Sequence, residues 1–258
     1  MKAVIFAGGL GTRLSEETSV KPKPMVEIGG KPMLWHIMKL YSAQGINEFI
    51  ICCGYKSQVI KDYFANYTLY RSDVTFDIGN HSFNVHKNGA EDWKVTLVET
   101  GEDTMTAGRL RMVKEYIGDE TFCLTYGDGV TDLPIKETIE FHKEQDTLVT
   151  LTAVQPPGRF GAFTMKEGEN KLETFMEKPK GDGAWINGGY FVVSPKVFDY
   201  PLEDTVMWEE GPLREFAKMG ELSAFKYPGF WQNMDTLRDK MKLEEMWQKG
   251  NAPWKVWK

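Results

Sequence analysis

Residues 2–13 read Lys2-Ala-Val-Ile-Phe6 and then Ala7-Gly8-Gly9-Leu10-Gly11-Thr12-Arg13. The short apolar run predicts a buried strand that ends at two glycines, with a third glycine two residues later. So little side chain leaves the backbone open to a ligand, and successive N–H groups can form a concave anion-binding surface. Arg13, Lys21 and Lys23 add cationic side chains that can reach phosphate groups. The pattern predicts a phosphate-binding loop at the carboxyl end of a central strand.

The glycines alone have a plainer interpretation, a simple turn after a strand, which is equally compatible with them. Two common phosphate motifs do not fit. The loop lacks G-x-x-x-x-G-K-[ST], and Gly9-Leu10-Gly11 would need a further glycine at position 14, which is Leu14. Neither a P-loop nor a dinucleotide fingerprint is therefore present, and on local grounds both the turn and the phosphate loop stay open.

Composition narrows the class of partner. With 258 residues, the chain is long enough for one large α/β domain or two small ones. The formal net charge of −6 argues against a nucleic-acid or membrane-surface partner, since either would need a basic face. Cys52, Cys53 and Cys123 fall in apolar segments, which predicts buried free thiols in a reducing compartment. With a strand already at residue 2 and no apolar run of membrane-spanning length, we expect a cytoplasmic protein.

The first 155 residues alternate between strand and helix patterns, with one interruption. Strands are predicted at 2–6, 49–53, 95–98, 122–126 and 148–154, and helices at 32–44, 58–65, 106–117 and 135–144. A β–α–β alternation of this kind implies right-handed crossovers and a doubly wound, mostly parallel sheet. Residues 68–90 alternate polar and apolar around Gly79-Asn80, which predicts an inserted antiparallel hairpin.

From residue 156 the pattern changes to short strands with glycine-rich joints, followed by helices predicted at 212–219 and 236–249. The last helix is expected to present Leu237, Met241, Glu244 and Met246 to Trp247. We therefore predict an α/β protein with a Rossmann-like, mostly parallel sheet flanked by helices and an added mixed-sheet lobe. It is expected as a single domain, 1–258, with a nucleotide-binding lobe over 1–155 and a second lobe over 156–258. The aromatic tail with Trp254 and Trp257 predicts docking, either on the same chain or on another subunit, and slightly favours a homo-oligomer.

Two aspartates are candidates for a metal site. Asp128 and Asp235 each follow a strand pattern at the edge where α/β sheets bind ligands, although a turn aspartate is an equally good local interpretation of Asp128. Two carboxylates with phosphate oxygens and waters can hold Mg²⁺ for phosphoryl or nucleotidyl transfer, with Arg13 and Lys23 neutralising phosphate charge. The segment from Thr104 to Arg109 opens a helix, which indicates a base or phosphate site or, more simply, an ordinary helix cap.

Three spaced segments resemble the opening of the sugar-1-phosphate nucleotidylyltransferase family. They are Gly8-Gly9-Leu10-Gly11-Thr12-Arg13-Leu14, Pro22-Lys23-Pro24-Met25 and Gly29-Gly30-Lys31-Pro32. The spaced combination is specific, whereas any one piece would not be. The resemblance covers most of the chain and implies the nucleotide-diphospho-sugar transferase type of fold.

The resemblance also implies roles for individual residues. It implies Arg13, Lys23, Asp128 and Asp235 as catalytic residues, the two aspartates being the ligands of Mg²⁺. The implied nucleotide-binding residues are Ala7, Gly8, Gly9, Leu10, Gly11, Thr12, Arg13, Lys23, Thr104, Thr106, Gly108, Arg109, Gly127 and Asp128. The implied sugar-phosphate pocket is Gly161, Glu177, Lys178, Asn187 and Gly188, with Lys178 on the sugar phosphate and Glu177 on the sugar hydroxyls.

Segments 156–161, 177–183 and 229–238 resemble one branch of this family. That branch joins CTP to glucose 1-phosphate and gives CDP-glucose and pyrophosphate, on the route to dideoxysugars of surface polysaccharide. The loop itself does not distinguish cytosine from uracil or thymine, so a UTP- or dTTP-dependent relative stays open. Two other classes also stay open: a non-catalytic regulatory module, and a nicotinamide-binding oxidoreductase, which the glycine spacing disfavours.

Overall fold

The computed structural model of the chain describes residues 1–87, 89–156, 158, 161–166, 168, 171–177, 180 and 184–257. Its strands are β1 (Ala3–Phe6), β2 (Glu27–Ile28), β3 (Lys31–Pro32), β4 (Glu48–Cys53), β5 (Asp73–Asp77), β6 (Ser82–Lys87), β7 (Lys94–Glu99), β8 (Phe122–Tyr126), β9 (Gly129–Thr131), β10 (Val149–Val154), β11 (Ala162–Met165), β12 (Leu172–Met176), β13 (Ile186–Val193), β14 (Leu222–Tyr227) and β15 (Trp231–Asn233). Its α-helices are α1 (Ser15–Thr18), α2 (Met33–Ser42), α3 (Ser57–Ala65), α4 (Tyr67–Tyr70), α5 (Thr106–Met112), α6 (Lys114–Ile117), α7 (Ile135–Gln145), α8 (Pro212–Met219) and α9 (Leu237–Gln248).

A seven-stranded sheet in the order β14-β10-β13-β8-β1-β4-β7 forms the centre of the fold. β1 lies between β8 and β4 and pairs with both in parallel, with Ala3 opposite Phe49 on one side and Cys123 on the other. Among the strands that the structure describes, β13 alone runs against its neighbours in this sheet. The carboxyl ends of β1, β4 and β8 therefore meet at one edge, where α/β folds bind ligands.

The strands of the sheet carry apolar side chains on both of its faces, and helices cover both faces. Ala3 and Ile5 belong to one apolar cluster, which α2, α7 and α9 complete. Val4 and Phe6 belong to a second cluster on the other face, completed by α5, α6 and α8. The predicted class, a mostly parallel α/β fold, is confirmed.

The second half of the chain differs in detail from the expected lobe. β13 and β14 join the central sheet, and β13 supplies its mixed character by inserting antiparallel between β8 and β10. The hairpin of β11 and β12 forms a separate two-stranded sheet. The mixed sheet that the sequence predicts therefore lies largely within the central sheet, because the apolar run of β13 is buried on both faces.

Two helices differ from their predicted form. The helix expected over 106–117 divides into α5 and α6 at Val113, whose φ of −100° and ψ of 3° interrupt the α conformation. In α9, the buried position is Leu243, whereas Leu237 and Met241 are exposed. Met246 and Trp247 pack against the core, so the prediction from the hydrophobic pattern was wrong for Leu237 and Met241 only.

The C-terminal tail packs against its own chain. Trp254 is buried, its ring stacks on Phe230 and Trp247, and its Nε1–H donates to Nδ1 of His36 over 3.3 Å. The other ring nitrogen of His36 lies 2.9 Å from the carbonyl oxygen of Ile28 and donates to it. Burial lowers the pKa of His36 to about 4. The tail thus satisfies the docking prediction within one chain.

The inserted hairpin of β5 and β6 is exposed along most of its length. Phe76 and Phe83 face each other across it, with ring centroids 5.9 Å apart, and both side chains remain more than half exposed. An isolated two-stranded hairpin is only marginally stable in water. Across the described residues, no helix has the length and apolar character needed to cross a membrane.

Candidate active site

The glycine-rich loop after β1 borders a cavity of about 640 Å³. The cavity is lined by Ala7, Gly8, Gly9, Leu10, Gly11, Thr12, Arg13, Lys23, Thr104, Thr106, Arg109, Gly127 and Asp128, among others. Gly11 has a φ of +64°, and a Cβ at this position would lie 3.1 Å from Cβ of Lys23. Glycine is favoured there because other residues rarely adopt this backbone conformation, and a Cβ would also have to push Thr18 and Lys23 slightly aside. The predicted nucleotide residues thus line one cavity, with the exception of Gly108, which packs against Asp204 instead. Their roles stay predictions.

Arg109 braces the wall of this cavity from behind. Its guanidinium donates to the Thr100 hydroxyl at 2.7 Å and to four backbone oxygens, those of Cys53, Gly101, Gly8 and Glu102, at 2.8–3.3 Å. The residue is 3% exposed, and burial lowers its pKa from the usual value. A Cβ on Gly8 would lie 2.0 Å from the guanidinium, so glycine at position 8 makes room for this contact. Arg109 holds three loops together.

Lys23 joins the two candidate metal aspartates. Its ammonium lies 2.6 Å from Oδ2 of Asp128 and 2.5 Å from Oδ1 of Asp235. Asp128 follows β8 and Asp235 follows β15, and the two strands' ends meet because β15 pairs with β9 next to β8. The lysine side chain is 10% exposed, so these charges interact in a partly desolvated setting. Three distant residues thus converge on one point: Lys23 precedes Asp128 by 105 positions, and Asp128 precedes Asp235 by 107.

Asp235 has further partners that fix its carboxylate. Arg13 Nη1 lies 2.8 Å from Oδ2, and Asn233 donates its side-chain amide to the same oxygen at 2.6 Å. The backbone N–H of Asp235 donates to Asp239, which also forms a capping box with Thr236 at the start of α9. The Arg13 side chain is 72% exposed, so it reaches the acid pair from the solvent side. Asp235 is held by its neighbours on three sides.

The residues present fit a divalent cation. Asp128 and Asp235 direct one oxygen each at a common point, where the Lys23 ammonium already stands as a cation. Carboxylate oxygens are the ligands that Mg²⁺ prefers, and Mg²⁺ completes its coordination with waters and substrate phosphates. Asp128 and Asp235 are thus the residues that would hold the metal.

The opening of α5 forms another side of the cavity. Met105 is the N-cap residue, and the Thr106 hydroxyl accepts from the backbone N–H of Trp208 at 2.7 Å. Thr106 also donates to Glu209, and the phenol of Tyr126 donates to the other oxygen of that carboxylate. Burial raises the pKa of Glu209. Thr106 does not act as the ordinary helix cap that was one of the two expectations. Its hydroxyl instead connects α5 to the loop before α8.

The expected sugar-phosphate residues fall into two groups. Gly188 accepts from the Trp231 indole N–H at 2.7 Å, and Asn187 accepts from the backbone N–H of Gly189, against which the Tyr126 ring packs. These two residues therefore lie beside the strand end that carries Asp128. Gly161 lies within 3.4 Å of Glu177 Oε2, measured from an added Cβ, at the base of the β11–β12 hairpin. Lys178 lies outside the described residues.

Three side chains that sequence reasoning missed support the site. Glu209 accepts hydrogen bonds from Tyr126 and Thr106. Asn233 donates to the carboxylate of Asp235, and Asp239 accepts from its backbone N–H. Glu209 lies in a loop without a recognisable motif, so nothing in the sequence signals it. Asn233 and Asp239 flank Asp235 within four residues, and the pattern Thr236-x-x-Asp239 is a capping-box signal that could have been used.

The fold and the site together define an α/β enzyme class that transfers nucleotidyl groups: a glycine-rich loop, two cations and two carboxylates at the carboxyl edge of a parallel sheet. Comparison with known proteins agrees. The family model described as nucleotidyl transferase matches residues 2–213, and the chain belongs to this family. Members of the family generally use a divalent metal ion. The resemblance of the opening motifs is thereby confirmed.

Named relatives extend over the whole chain. A glucose-1-phosphate cytidylyltransferase of Salmonella typhimurium is 62% identical over 258 residues, covering all of both chains. A probable glucose-1-phosphate cytidylyltransferase of Bacillus subtilis is 46% identical over the same full length. Among solved structures, HddC from Yersinia pseudotuberculosis superposes with a TM-score of 0.70 at 27% identity, covering 95% of this chain and 99% of that one.

Proposed function

We propose that this chain transfers the cytidylyl group of CTP to α-D-glucose 1-phosphate, giving CDP-glucose and pyrophosphate. The observation that carries the reaction type is the convergence of Arg13, Lys23, Asp128 and Asp235 beside the glycine-lined cavity. The choice of CTP and glucose 1-phosphate follows the full-length relatives, both of which are named for that reaction.

In this proposal the cavity receives the nucleotide. Gly8 to Thr12 surround the triphosphate, because their backbone offers N–H groups and little side chain. Thr104 and Thr106 form the base end of the cavity, and Gly108 lies behind them against Asp204. Arg109 does not need to touch the base, because its donors already serve five oxygens of the protein. Its role is to keep the loops at Gly8 and Gly101 at a fixed separation.

The chemical step is a single in-line displacement at the α-phosphorus of CTP. An oxygen of the glucose 1-phosphate forms the new P–O bond, and the bond between the α-phosphorus and the bridging oxygen to the β-phosphate breaks. Pyrophosphate leaves with that electron pair. Lys23 and Arg13 stabilise negative charge on the phosphates as it develops, and positioning supplies the remaining acceleration. A divalent metal, Mg²⁺ in our proposal, supplies further charge neutralisation when Asp128 and Asp235 hold it.

The sugar phosphate is proposed to bind beside Asn187 and Gly188, which directly precede Gly189, the residue against which the Tyr126 ring packs at the end of β8. Gly161 and Glu177 would close this side, with Glu177 accepting from sugar hydroxyls. Lys178 follows Glu177 directly in sequence, which supports a role on the sugar phosphate. The phosphates of CTP and the phosphate of glucose 1-phosphate would then approach Asp128 and Asp235 from two sides.

We further propose a homo-oligomeric, cytoplasmic enzyme that supplies a nucleotide sugar for the dideoxysugars of surface polysaccharide. The exposed apolar faces of the β5–β6 hairpin, with Phe76, Ile78 and Phe83, support association of subunits. The buried free thiols of Cys52, Cys53 and Cys123 support a reducing compartment.

Pyrophosphate release tests the proposal. The purified chain is incubated with glucose 1-phosphate and Mg²⁺, and CTP, UTP, dTTP, ATP and GTP are compared in separate reactions. We expect release with CTP that depends on glucose 1-phosphate. Release confined to UTP or dTTP would keep the reaction type and reject the nucleotide. If no nucleotide gives pyrophosphate release while CTP still binds, catalysis is rejected in favour of a regulatory module.

A further inference from the structure

The Lys23 ammonium occupies the point at which the two carboxylates of the site converge. It lies at hydrogen-bond distance from Asp128 and Asp235 at once, and its side chain is largely shielded from water. Two cations cannot both stand between the same two oxygens, because they repel each other strongly at such distances. While Lys23 is in this position, the carboxylates cannot serve as a bridging metal site.

The charges around this point balance without a metal. Asp128 and Asp235 carry two negative charges, and Lys23 and Arg13 carry two positive charges, each within 2.8 Å of a carboxylate oxygen. One divalent cation carries the same charge as the two side chains together. Exchanging the side chains for a divalent ion would therefore leave the net charge of the cluster unchanged, provided that the displaced cations find another anion.

The phosphate-binding loop lies where the displaced ammonium would need it. Lys23 lines the same cavity as Gly8 to Arg13, and an added Cβ on Gly11 would lie 3.1 Å from Cβ of Lys23. The flexible four-carbon stem lets the ammonium move between the carboxylates and a phosphate in this cavity. The backbone of Lys23 is fixed by a 3-10 turn, Lys23–Met25, so only the side chain has to move.

We propose that Lys23 is an internal counterion that closes the acid pair to divalent metal until nucleotide is bound. Nucleotide phosphates draw the ammonium away, and the acid pair then becomes available. Metal and nucleotide therefore bind with positive coupling, and by thermodynamic reciprocity each raises the affinity for the other. The inference rests on the proposed nucleotidyl transfer and adds an order of loading to it: the nucleotide-free enzyme binds divalent metal weakly.

Binding of Mn²⁺ to the nucleotide-free protein, measured by electron paramagnetic resonance, tests this directly and requires no turnover. Replacing Lys23 by Met removes the ammonium and keeps most of the stem. We expect Lys23→Met to bind Mn²⁺ at least about tenfold more tightly than the wild type, within the usual range of coupling between sites. Lys23→Gln serves as a second neutral variant if Lys23→Met folds poorly, and circular dichroism reports on the fold.

Two controls locate the effect. Lys21, which the sequence suggested could reach phosphates, pairs with Glu27 and is not among the residues that line the cavity. Lys21→Met should therefore leave Mn²⁺ binding at the wild-type level. Adding Asp128→Asn to Lys23→Met should abolish the gained affinity, which assigns the ion to the acid pair. Equal Mn²⁺ affinity in the wild type and both neutral variants would overturn the proposal, as would tight wild-type binding that Asp128→Asn removes.

The outcome is separable from that of the proposed function. If Lys23→Met gains Mn²⁺ affinity but the wild type releases no pyrophosphate, the proposed nucleotidyl transfer is rejected and the role of Lys23 as a counterion is retained. Pyrophosphate release with unchanged Mn²⁺ affinity would do the reverse.

Discussion

Two walls of the same cavity use basic side chains in opposite ways. On one wall, Arg109 is 3% exposed and donates to neutral oxygens of its own chain. On the other, Arg13 has a side chain that is 72% exposed and pairs, like Lys23, with a carboxylate. Of the four cations that the sequence suggests near the cavity, Lys21 is not among its lining residues, whereas Arg13, Lys23 and Arg109 are. Arg109 braces the walls, and the other two lie beside the acid pair.

The difference teaches what each wall can do when a ligand arrives. The oxygens around Arg109 belong to backbone carbonyls and a threonine of its own chain, and the guanidinium would give up five hydrogen bonds by leaving them, so we expect it to stay in place. The carboxylates around Lys23 and Arg13 can be satisfied by a metal, so those cations are free to exchange partners. In our proposal, one wall keeps its contacts when a ligand binds, and the other exchanges them.

The largest effect is expected on the exchanging wall. Lys23→Ala or Asp128→Asn should lower turnover by about 10³-fold or more, because each removes charge that acts on the reacting phosphates. Steady-state rates of pyrophosphate release measure this, and circular dichroism should show an intact fold. Lys21→Ala provides the matched control, since this lysine pairs with Glu27 outside the acid pair. Full activity in either variant would remove the distinction between the walls.

The next effect concerns stability and falls on the bracing wall. Arg109→Met should lower the free energy of unfolding by about 3 kcal/mol, since it removes five hydrogen bonds that a buried, charged side chain donates. Arg109→Lys should recover little of this loss, because an ammonium cannot reach oxygens spread around a planar fork. Urea denaturation measures both. Arg111→Met, which removes an exposed partner of Asp204, is the control and should change stability by less than about 0.5 kcal/mol.

Arg13 should show the reverse pattern at smaller size. Arg13→Gln should lower turnover by about 10- to 100-fold, the range expected for loss of one charged contact to a transition state. Its unfolding midpoint should remain at the wild-type value because the side chain is mostly exposed. A variant that unfolds at clearly lower urea concentration with normal turnover would place Arg13 on the bracing wall instead.

The smallest effect tests a single partner of Arg109. Thr100 accepts from the guanidinium at 2.7 Å and donates to the Cys53 carbonyl at 2.6 Å. Thr100→Val keeps the shape and removes both bonds, so stability should fall by about 1–2 kcal/mol with little change in turnover. Thermal unfolding and pyrophosphate release, measured on the same preparation, separate the two quantities. A loss of turnover larger than the loss of stability would mean that this wall does more than hold the loops.

The sequence predicted one wall better than the other. Asp128 and Asp235 follow strands, and the ends of strands meet at one edge, so their convergence could be anticipated, and the opening motifs placed Lys23 and Arg13 with them. For Arg109, the same reasoning suggested contact with the nucleotide, because a cation at a helix start beside a phosphate loop is a plausible nucleotide ligand. The sequence gives no sign of whether such a side chain points into the cavity or toward the protein behind it. Its carbonyl partners are backbone atoms of distant loops, which no side-chain pattern records.

Other departures have the same origin. Leu243 rather than Leu237 is buried in α9, because the surrounding tertiary packing selects the face of a helix that has apolar residues on more than one side. Glu209 reaches Tyr126 across 83 residues from a loop without a motif. Local patterns determine where strands and helices form, and the contacts that complete the site depend on how distant segments meet.

Direct detection of the product tests the central proposal. The chain is incubated with CTP, glucose 1-phosphate and Mg²⁺, and the nucleotide sugars formed are identified by mass spectrometry, with Asp128→Asn in parallel. We expect CDP-glucose and pyrophosphate in equal amounts from the wild type and a yield from the variant lower by about 10³-fold. Absence of CDP-glucose from a folded wild-type protein that binds CTP would contradict the proposal, as would undiminished product from the variant.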